Sequence, residues 1–177
     1  GVIAIISPWN FPTATAAWKI APALAFGNSV IWKPANLTPA SAVALTEIIH
    51  RQGIPAGTFN LVLGSGSKVG DALIHSKDVN GVSFTGSVDT GRKVAAATAP
   101  NFVRCQLEMG SKNALVIADD ADIQTAVDAT IAGSFSGAGQ KCTASSRLVV
   151  MDSIHDQYVE ALIQRMSELK VGHALKD

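Results

Sequence analysis

Short apolar runs alternate with longer alanine-rich segments along the first 110 residues. The first run, 2–6, is continuously apolar, as is typical of a strand that is buried on both faces. Strands separated by helices predict a parallel sheet, because each crossover helix returns the chain to the same edge. The predicted strands are 2–6, 29–32, 59–63, 81–85 and 103–108. The pattern therefore predicts an α/β fold with a Rossmann-like, doubly wound parallel sheet.

Local start and stop signals bound the helices between these strands. The alanine-rich segment 13–25 predicts a helix that tolerates Pro22 as a kink. A second helix opens at Pro39 and runs through His50, with Gly53 as its stop signal. A short helix ending at His75 and a helix over 88–97 complete this part of the chain.

The same alternation starts again after Gly110. It predicts a strand over 114–117, a helix over 121–135, a strand over 148–151 and a helix over 154–170. We therefore expect a first domain over 1–110 and the opening part of a second α/β domain over 111–177. The last helix carries an apolar stripe, formed by Tyr158, Leu162, Met166 and Leu169, and no further strand follows it. We expect this stripe to lack its packing partner and the sequence to be a piece of a longer protein.

Charge and hydropathy narrow the class of function. The 14 Lys and Arg residues balance the 14 Asp and Glu residues, and the basic residues are scattered rather than clustered. This pattern argues against nucleic-acid partners and anionic membranes. Pro, Gly or a charged residue interrupts every apolar run before the roughly 18 residues that a membrane span needs. Small-molecule chemistry is the expected function.

Cysteine and histidine usage indicates a reducing compartment and no metal site. Cys105 lies inside a predicted apolar strand, where we expect an unreactive thiol, whereas Cys142 lies in a segment of different character. A disulfide framework is therefore not expected, and we expect a cytoplasmic location. The four histidines stand alone, without a second ligand at metal-binding spacing.

The segment 134–147 places Cys142 among small and polar residues, which favours an exposed thiol. Gly137 and Gly139 would let the backbone approach a ligand closely. The polar residues over 143–146 fit either the first turn of a helix or a loop wall. Backbone N–H groups presented there would favour a nucleophilic thiolate and hold an oxyanion. The alternative is that Cys142 is a small buried apolar residue.

Polar residues and glycines close the predicted strands. Ligands of doubly wound sheets bind beyond the carboxyl ends of the strands. The residues at these ends are Asn10, Lys33, Gly64 to Gly70, Gly86, Ser87 and Glu108. Glu108 fits a general base in apolar surroundings or a structural carboxylate, and Lys33 fits a ribose ligand or a solvated lysine. For Asn10, the residues alone favour a helix cap over a ligand contact.

Two glycine turns at this edge are candidate phosphate sites. Gly64, Gly66 and Gly70 follow a strand, as in a dinucleotide-binding loop, but their spacing is not that of G-x-G-x-x-G. Gly86 and Ser87 precede a helix whose first turn contains Gly91, which offers a second place for a pyrophosphate at helix N–H groups. Ordinary strand-to-helix turns remain the alternative for both.

Taken together, six short motifs resemble the aldehyde dehydrogenase superfamily, and they follow each other in family order along the whole chain. The motifs are Pro8-Trp-Asn-Phe-Pro12, Trp18-Lys19, Trp32-Lys-Pro34 with Thr38-Pro39, Phe84-Thr-Gly-Ser87 with Gly91, Leu107-Glu-Met-Gly110 with Lys112 and Asn113, and Gly139-Gln-Lys-Cys142. The resemblance implies an incomplete aldehyde dehydrogenase-like fold. It also implies that 1–110 is the second part of an NAD(P)-binding domain and that 111–177 is the first part of a catalytic domain.

The resemblance implies a covalent mechanism. Cys142 would attack an aldehyde as a thiolate, and the Asn10 amide and the Cys142 backbone N–H would hold the oxyanion of the thiohemiacetal. Hydride would pass to the nicotinamide, and Glu108 would activate the water that hydrolyses the thioester. Lys19 would support the nucleophile region.

The resemblance also implies NAD or NADP as cofactor. The implied cofactor-binding residues are Ile6, Trp9, Lys33, Asn36, Gly66, Gly70, Gly86, Ser87 and Gly110. Lys33 would bind the adenosine ribose and Ser87 a phosphate oxygen. Asn36 stands where many NAD-preferring members carry a glutamate, and a neutral residue removes repulsion against a 2′-phosphate, which makes NADP or dual use plausible.

Within the superfamily, residues 7–13 and 33–39 look most like bacterial α-ketoglutaric semialdehyde dehydrogenases. The resemblance further implies that the full-length protein is a homo-oligomer, a dimer or a tetramer, which acts on a small aldehyde. Two alternatives stay open. One is an aldehyde dehydrogenase that transfers the acyl group to coenzyme A, against which the candidate base Glu108 argues. The other is a catalytically silent dinucleotide-binding fragment.

Overall fold

The chain divides into two compact units, unit 1 over Gly1–Gly110 and unit 2 from Ser111 onward. The computed structural model describes residues 1–173 and 175. Each unit combines parallel strands with helices and has apolar clusters of its own.

Unit 1 is built on a five-stranded parallel sheet with the order β3-β2-β1-β4-β5. Its strands are β1 (Val2–Ile6), β2 (Ser29–Lys33), β3 (Phe59–Leu61), β4 (Gly81–Gly86) and β5 (Arg104–Met109). Its helices are α1 (Ala14–Ala25), α2 (Pro39–His50), α3 (Asp71–His75) and α4 (Val88–Thr98). A π-helical turn (Gly66–Gly70) precedes α3, and a 3₁₀ turn (Ala99–Asn101) follows α4. The predicted doubly wound parallel sheet is confirmed.

Apolar clusters cover both faces of the central strand. Ile5 belongs to a cluster that includes Trp32 of β2 and residues of α1 and α2. Its neighbour Ala4 belongs to a second cluster that includes Val94 of α4. Since successive side chains of a strand point to opposite faces, a continuous apolar run suits this central position. Trp32 anchors the first cluster and has no exposed surface.

Most helices of unit 1 begin and end where the local sequence signals predict. The helix α2 begins at Pro39 and ends at His50, as predicted, because proline suits the first helical turn and Gly53 has a positive φ of 73°. Pro22 lies inside α1, as expected. The strand β3 is two residues shorter than the predicted 59–63.

Unit 2 pairs two parallel strands, β6 (Asn113–Ile117) and β7 (Ser145–Val150). Between them run α5 (Ile123–Phe135) and a 3₁₀ turn (Ser136–Gly139), and after β7 come a second 3₁₀ turn (Asp152–Ile154) and α6 (His155–Ser167). The Asp122 side chain caps α5 by accepting a hydrogen bond from the Thr125 backbone N–H, which lowers the pKa of Asp122.

The apolar stripe of α6 has a partner within unit 2 over its first half, so the expectation of an unpartnered stripe is wrong there. Tyr158 is 1 % exposed and packs with Ile117 and Val127, and Leu162 packs against the same cluster. The Tyr158 hydroxyl lies 2.6 Å from Thr130 Oγ1 on α5. The contact that the sequence pattern could not predict is therefore the packing of α6 against α5. Met166, further along the stripe, is exposed.

None of the helices over the residues that the structure describes is both long enough and apolar enough to cross a membrane.

Candidate active site

Most of the predicted site residues lie at the carboxyl ends of the unit 1 strands. The strand order reverses between β1 and β4, since β2 and β3 lie on one side of β1, and β4 and β5 lie on the other. Ligands of open α/β sheets bind at such a reversal, beyond the carboxyl ends. The turn that contains Trp9 and Asn10 follows β1, and the turn at Ser87 follows β4. Both predicted segments therefore lie at the reversal point.

The start of the β1–α1 turn is anchored to the core. The Ser7 hydroxyl accepts a hydrogen bond from Trp32 Nε1 at 2.9 Å, and the Ser7 backbone N–H donates to the Lys33 carbonyl at 3.2 Å. Beyond this anchor, Trp9 is exposed and Asn10 is half-buried. The N-cap position of α1 is Thr13, whose side chain makes no capping hydrogen bond. The turn is thus fixed at its first residue and carries Trp9 and Asn10 outward from the sheet.

Lys33 is buried at the end of β2, so its interpretation as a solvated lysine is wrong. The residue is 5 % exposed, and its ammonium donates to the Pro34 carbonyl at 2.8 Å. Burial lowers the pKa of Lys33 below the ordinary lysine value. Ile6 pairs with Lys33 across the β1–β2 ladder. A Cβ on Gly70 would lie 4.0 Å from Lys33 Cδ, so Ile6, Lys33 and Gly70 are neighbours.

The first glycine turn is a π-helical turn rather than an open loop. Residues Gly66–Gly70 continue directly into α3. A Cβ on Gly66 would meet no atom within 4 Å, whereas one on Gly64 would lie 2.5 Å from Val69 Cγ2. Gly64 also has a φ of 152°. Packing and backbone conformation therefore explain Gly64, while neither accounts for Gly66.

Packing within unit 1 explains the glycines at positions 86 and 91. A Cβ on Gly86 would lie 2.5 Å from the Phe84 ring, and one on Gly91 would lie 2.3 Å from Met109 Sδ. Gly91 therefore lets α4 pack closely on β5. The Ser87 hydroxyl caps α4 by accepting from the Thr90 backbone N–H at 3.2 Å and donating to Thr90 Oγ1 at 2.9 Å.

Two other predicted cofactor residues lie in exposed turns. Asn36 is exposed three residues after Lys33. Gly110 is exposed after β5, and a Cβ there would meet no atom within 4 Å.

Lys19 reaches from α1 to the far half of the sheet. It is 8 % exposed, and its ammonium donates to Ser83 Oγ at 2.9 Å and Gln106 Oε1 at 3.4 Å. The Ser83 hydroxyl in turn donates to Gln106 Oε1 at 2.6 Å. Burial lowers the pKa of Lys19, and the negative charge of Glu108 partly opposes this effect. Lys19 and Glu108 are therefore electrostatically coupled within unit 1.

Glu108 is exposed in unit 1, so the expectation of apolar surroundings is wrong. The alternation of side chains between the two faces of a strand explains this exposure. Leu107 and Met109 pack into the cluster on the opposite face of the sheet, whereas Glu108 shares its face with Gln106.

Cys142 is an exposed thiol in the loop that joins α5 to β7 of unit 2, so its interpretation as a buried apolar residue is wrong. Upstream, Gly137, Ala138 and Gly139 all have positive φ values, of 63°, 57° and 69°. A Cβ on Gly139 would lie 2.9 Å from the Ser134 carbonyl oxygen. These glycines are therefore required by the local turn itself. Downstream, Ser145 and Ser146 begin β7, which excludes the helical interpretation of this segment.

Side chains from β6 and β7 tie the downstream end of this loop. The Asn113 amide donates to the carbonyls of Cys142 at 2.7 Å and Ala144 at 3.2 Å. Arg147 Nε donates to the Lys112 carbonyl at 2.9 Å. At the upstream end, the Gln140 backbone N–H donates to the Gly137 carbonyl at 3.1 Å and the Lys141 ammonium donates to Ser136 Oγ at 2.9 Å, so hydrogen bonds hold the loop at both ends.

Cys105, which the sequence places inside an apolar strand, is also exposed. It lies on β5, which is an edge strand of the unit 1 sheet. An edge strand has a neighbour on one side only, which leaves its side chains more accessible to solvent.

Three polar residues of these networks were missed as candidates, namely Ser83, Gln106 and Asn113. Ser83 had a detectable signal, since its hydroxyl lies between the apolar residues Val82 and Phe84 of β4. Gln106 had no signal, and Asn113 stood in one of the six motifs without an assigned role, because their partners lie 87 and 29 residues away in the sequence. Among the described residues, no group of three or more His, Cys, Asp and Glu side chains is placed to hold a metal ion.

Known proteins resemble this chain in both sequence and structure. The α-ketoglutaric semialdehyde dehydrogenase of Bacillus subtilis is 45 % identical over 177 residues, which are 100 % of this chain and 36 % of that protein. The NADP⁺ succinate-semialdehyde dehydrogenase of Escherichia coli is 43 % identical over 99 % of this chain and 36 % of its own length.

Solved structures agree with these sequence relatives. A crystal structure of betaine aldehyde dehydrogenase from Staphylococcus aureus in complex with NAD⁺ matches with a TM-score of 0.97 and 44 % identity, covering 99 % of this chain and 35 % of that one. This chain spans about a third of the length of the relatives it matches. The model of the aldehyde dehydrogenase family matches residues 1–177. With six motifs in order, a doubly wound sheet and a family match over its whole length, the chain belongs to the aldehyde dehydrogenase family.

Proposed function

We propose that the protein oxidises an aldehyde to a carboxylic acid with NAD or NADP, through a thiohemiacetal and a thioester on Cys142. The exposed Cys142 thiol carries this proposal, because it lies on a loop fixed at both ends in a chain of the aldehyde dehydrogenase family. An accessible thiol on a fixed loop suits a nucleophile. In this proposal unit 1 binds the dinucleotide and unit 2 supplies the nucleophile.

The residues at the carboxyl edge of unit 1 fit a dinucleotide. The Lys33 ammonium carries three N–H donors, of which one goes to Pro34, so it can also donate to ribose hydroxyls. Gly66 has no packing role in unit 1, and Gly70 lies beside Lys33. The first N–H groups of α4, which Ser87 caps, suit a phosphate. Ile6, Trp9, Asn36, Gly86 and Gly110 complete the proposed cofactor set. When bound, NAD or NADP supplies the hydride acceptor.

In the first step, the Cys142 thiolate attacks the aldehyde carbon and forms a C–S bond. The carbonyl oxygen becomes an oxyanion, for which the Asn10 side-chain amide and the Cys142 backbone N–H are the proposed donors. Loss of hydride from the same carbon leaves a thioester on Cys142. In the last step, Glu108 takes a proton from water as the water attacks the thioester, and the C–S bond breaks to release the acid and the thiolate.

Glu108 suits the role of base because it is exposed and therefore open to water. The Lys19 ammonium, held by Ser83 and Gln106, interacts electrostatically with the Glu108 carboxylate. We therefore assign Lys19 to the support of Glu108 within unit 1.

The substrate and the cofactor preference are finer parts of this proposal. The named relatives act on α-ketoglutaric semialdehyde, succinate semialdehyde and betaine aldehyde, so these three aldehydes form the first panel of substrates. Asn36 supports use of NADP as well as NAD, because it places no negative charge three residues after Lys33. The homo-oligomeric state and the cytoplasmic location stay predictions.

The test is a transient kinetic experiment on the intact protein with NAD and, separately, NADP. Glu108→Gln should give one burst of reduced cofactor without steady turnover, since only deacylation needs the base. Cys142→Ala should give neither. Glu47→Gln is the matched control, because Glu47 is an exposed carboxylate paired with Arg51 on α2. Steady turnover by Cys142→Ala would contradict the proposal, and an acyl-CoA product on addition of coenzyme A would favour the acyl-transferring alternative.

A further inference from the structure

We infer that Asn113 is the positioning residue for the Cys142 nucleophile. The inference rests on the proposed function, and it adds a role for a residue outside the reacting groups. Its basis is the pair of hydrogen bonds from the Asn113 amide to the carbonyls of Cys142 and Ala144, at 2.7 and 3.2 Å. A primary amide carries two N–H donors in one plane, so a single side chain can hold both carbonyls at once.

The strand register explains why a side chain is needed at this point. Asn113 pairs with Ser145, but Ala114 pairs with Arg147, so Ser146 is an extra residue in β7. Such a bulge bends the strand and disrupts regular pairing. The paired residues begin at Asn113 and Ser145, so Cys142 and Ala144 precede them in the chain. The Asn113 amide extends the hydrogen bonding of β6 into the loop.

The direction of the Cys142 carbonyl is coupled to the direction of its side chain. The carbonyl carbon and Cβ are both bonded to the same Cα, so a hydrogen bond that fixes the peptide plane after Cys142 restricts the ψ angle of this residue. The upstream end is restricted as well, because the Gln140 backbone N–H donates to the Gly137 carbonyl at 3.1 Å and the Lys141 ammonium donates to Ser136 Oγ at 2.9 Å. Together these constraints fix the direction of the Cα–Cβ bond of Cys142 relative to β6.

The strands β6 and β7 have a second tie that does not involve Asn113. Arg147 Nε donates to the Lys112 carbonyl at 2.9 Å. Loss of the Asn113 amide therefore leaves that tie and the ladder from Ala114 to Ile117 in place. The two bonds of Asn113 go to loop carbonyls, which is what a positioning role requires.

The test compares Asn113→Ala and Asn113→Asp in the intact protein with NAD and whichever of the three aldehydes the wild type oxidises. Aspartate has the shape of asparagine but, when ionised, it has no donor and repels both carbonyl oxygens. We expect the burst rate to fall about 10-fold in Asn113→Ala and about 100-fold in Asn113→Asp, because a displacement of about 1 Å can cost 100-fold. The KM for the aldehyde should change less than kcat.

Two further measurements separate positioning from loss of structure. Thr130→Val removes the buried hydroxyl contact with Tyr158 in unit 2 without touching the loop, and it should keep the wild-type burst rate. Hydrogen–deuterium exchange should accelerate over residues 139–144 in Asn113→Asp and stay at the wild-type rate there in Thr130→Val. This exchange readout does not depend on aldehyde oxidation.

A wild-type burst rate in Asn113→Asp would overturn the inference, as would an equal loss in Thr130→Val. Unchanged exchange over residues 139–144 in Asn113→Asp would overturn it too. The proposed function fails on a different result, namely steady activity of Cys142→Ala. The two failures are therefore distinguishable.

Discussion

Gly139→Ala tests whether the backbone of the Cys142 loop is as constrained as its geometry indicates. Gly139 has a φ of 69°, a left-handed conformation that costs a non-glycine residue about 1–2 kcal/mol. The added Cβ would also lie 2.9 Å from the Ser134 carbonyl oxygen, which is backbone and can move only with the turn. Overpacking of this kind costs about 1–3 kcal/mol. The alanine also reduces the entropy of the unfolded chain, which offsets about 0.4–1 kcal/mol.

Gly137→Ala is the matched control for this change. Gly137 has a similar φ of 63°, but its Cβ would meet only Lys141 Cε at 3.7 Å, which is ordinary contact. The control therefore carries the conformational cost without the clash, a net destabilisation of about 1 kcal/mol. Gly139→Ala should destabilise by about 2–4 kcal/mol, and the difference between the two variants measures the clash.

The assay combines denaturant unfolding of the intact protein with the burst rate of cofactor reduction. If the turn relieves the clash by shifting, the Cys142 loop moves with it, and the burst rate in Gly139→Ala should fall further than in Gly137→Ala. Equal unfolding free energies within about 0.5 kcal/mol, with equal burst rates, would refute the reasoning.

Two further predictions concern the cofactor edge of unit 1. Asn36→Glu should shift the ratio of kcat/KM values toward NAD, because a carboxylate accepts from a ribose 2′-hydroxyl and repels a 2′-phosphate; an unchanged ratio would remove Asn36 from cofactor choice. Burial lowers the folded-state pKa of Lys33 below the ordinary 10.5, so the unfolded chain binds more protons between these two values. Relative to Lys33→Met, the free energy of unfolding of the wild type should therefore increase as the pH rises through that window. Urea unfolding of both proteins at several pH values measures this change, and a difference between them that is independent of pH would contradict the prediction.

Much of the fold could be predicted from the sequence, because its signals are local. A continuous apolar run identified β1 as a strand buried on both faces, and Pro39 and Gly53 bounded α2. Strand and helix segments in alternation are sufficient for a parallel sheet, since the crossovers are almost always right-handed. The motifs around Asn10, Glu108 and Cys142 identified the family for the same reason, as each is a short stretch of contiguous residues.

Tertiary structure alone decided which side chains meet and which are exposed. Lys19 contacts Ser83 across 64 residues and Gln106 across 87, and Asn113 contacts the Cys142 backbone across 29. Such contacts depend on strand order and register, which no local pattern encodes. The burial of a side chain also depends on its neighbours in space and not on the local sequence. The sequence places Cys105 inside an apolar strand, but it is exposed on an edge strand. Lys33 fitted a solvated lysine, but it is buried where β2 ends between its two neighbouring strands.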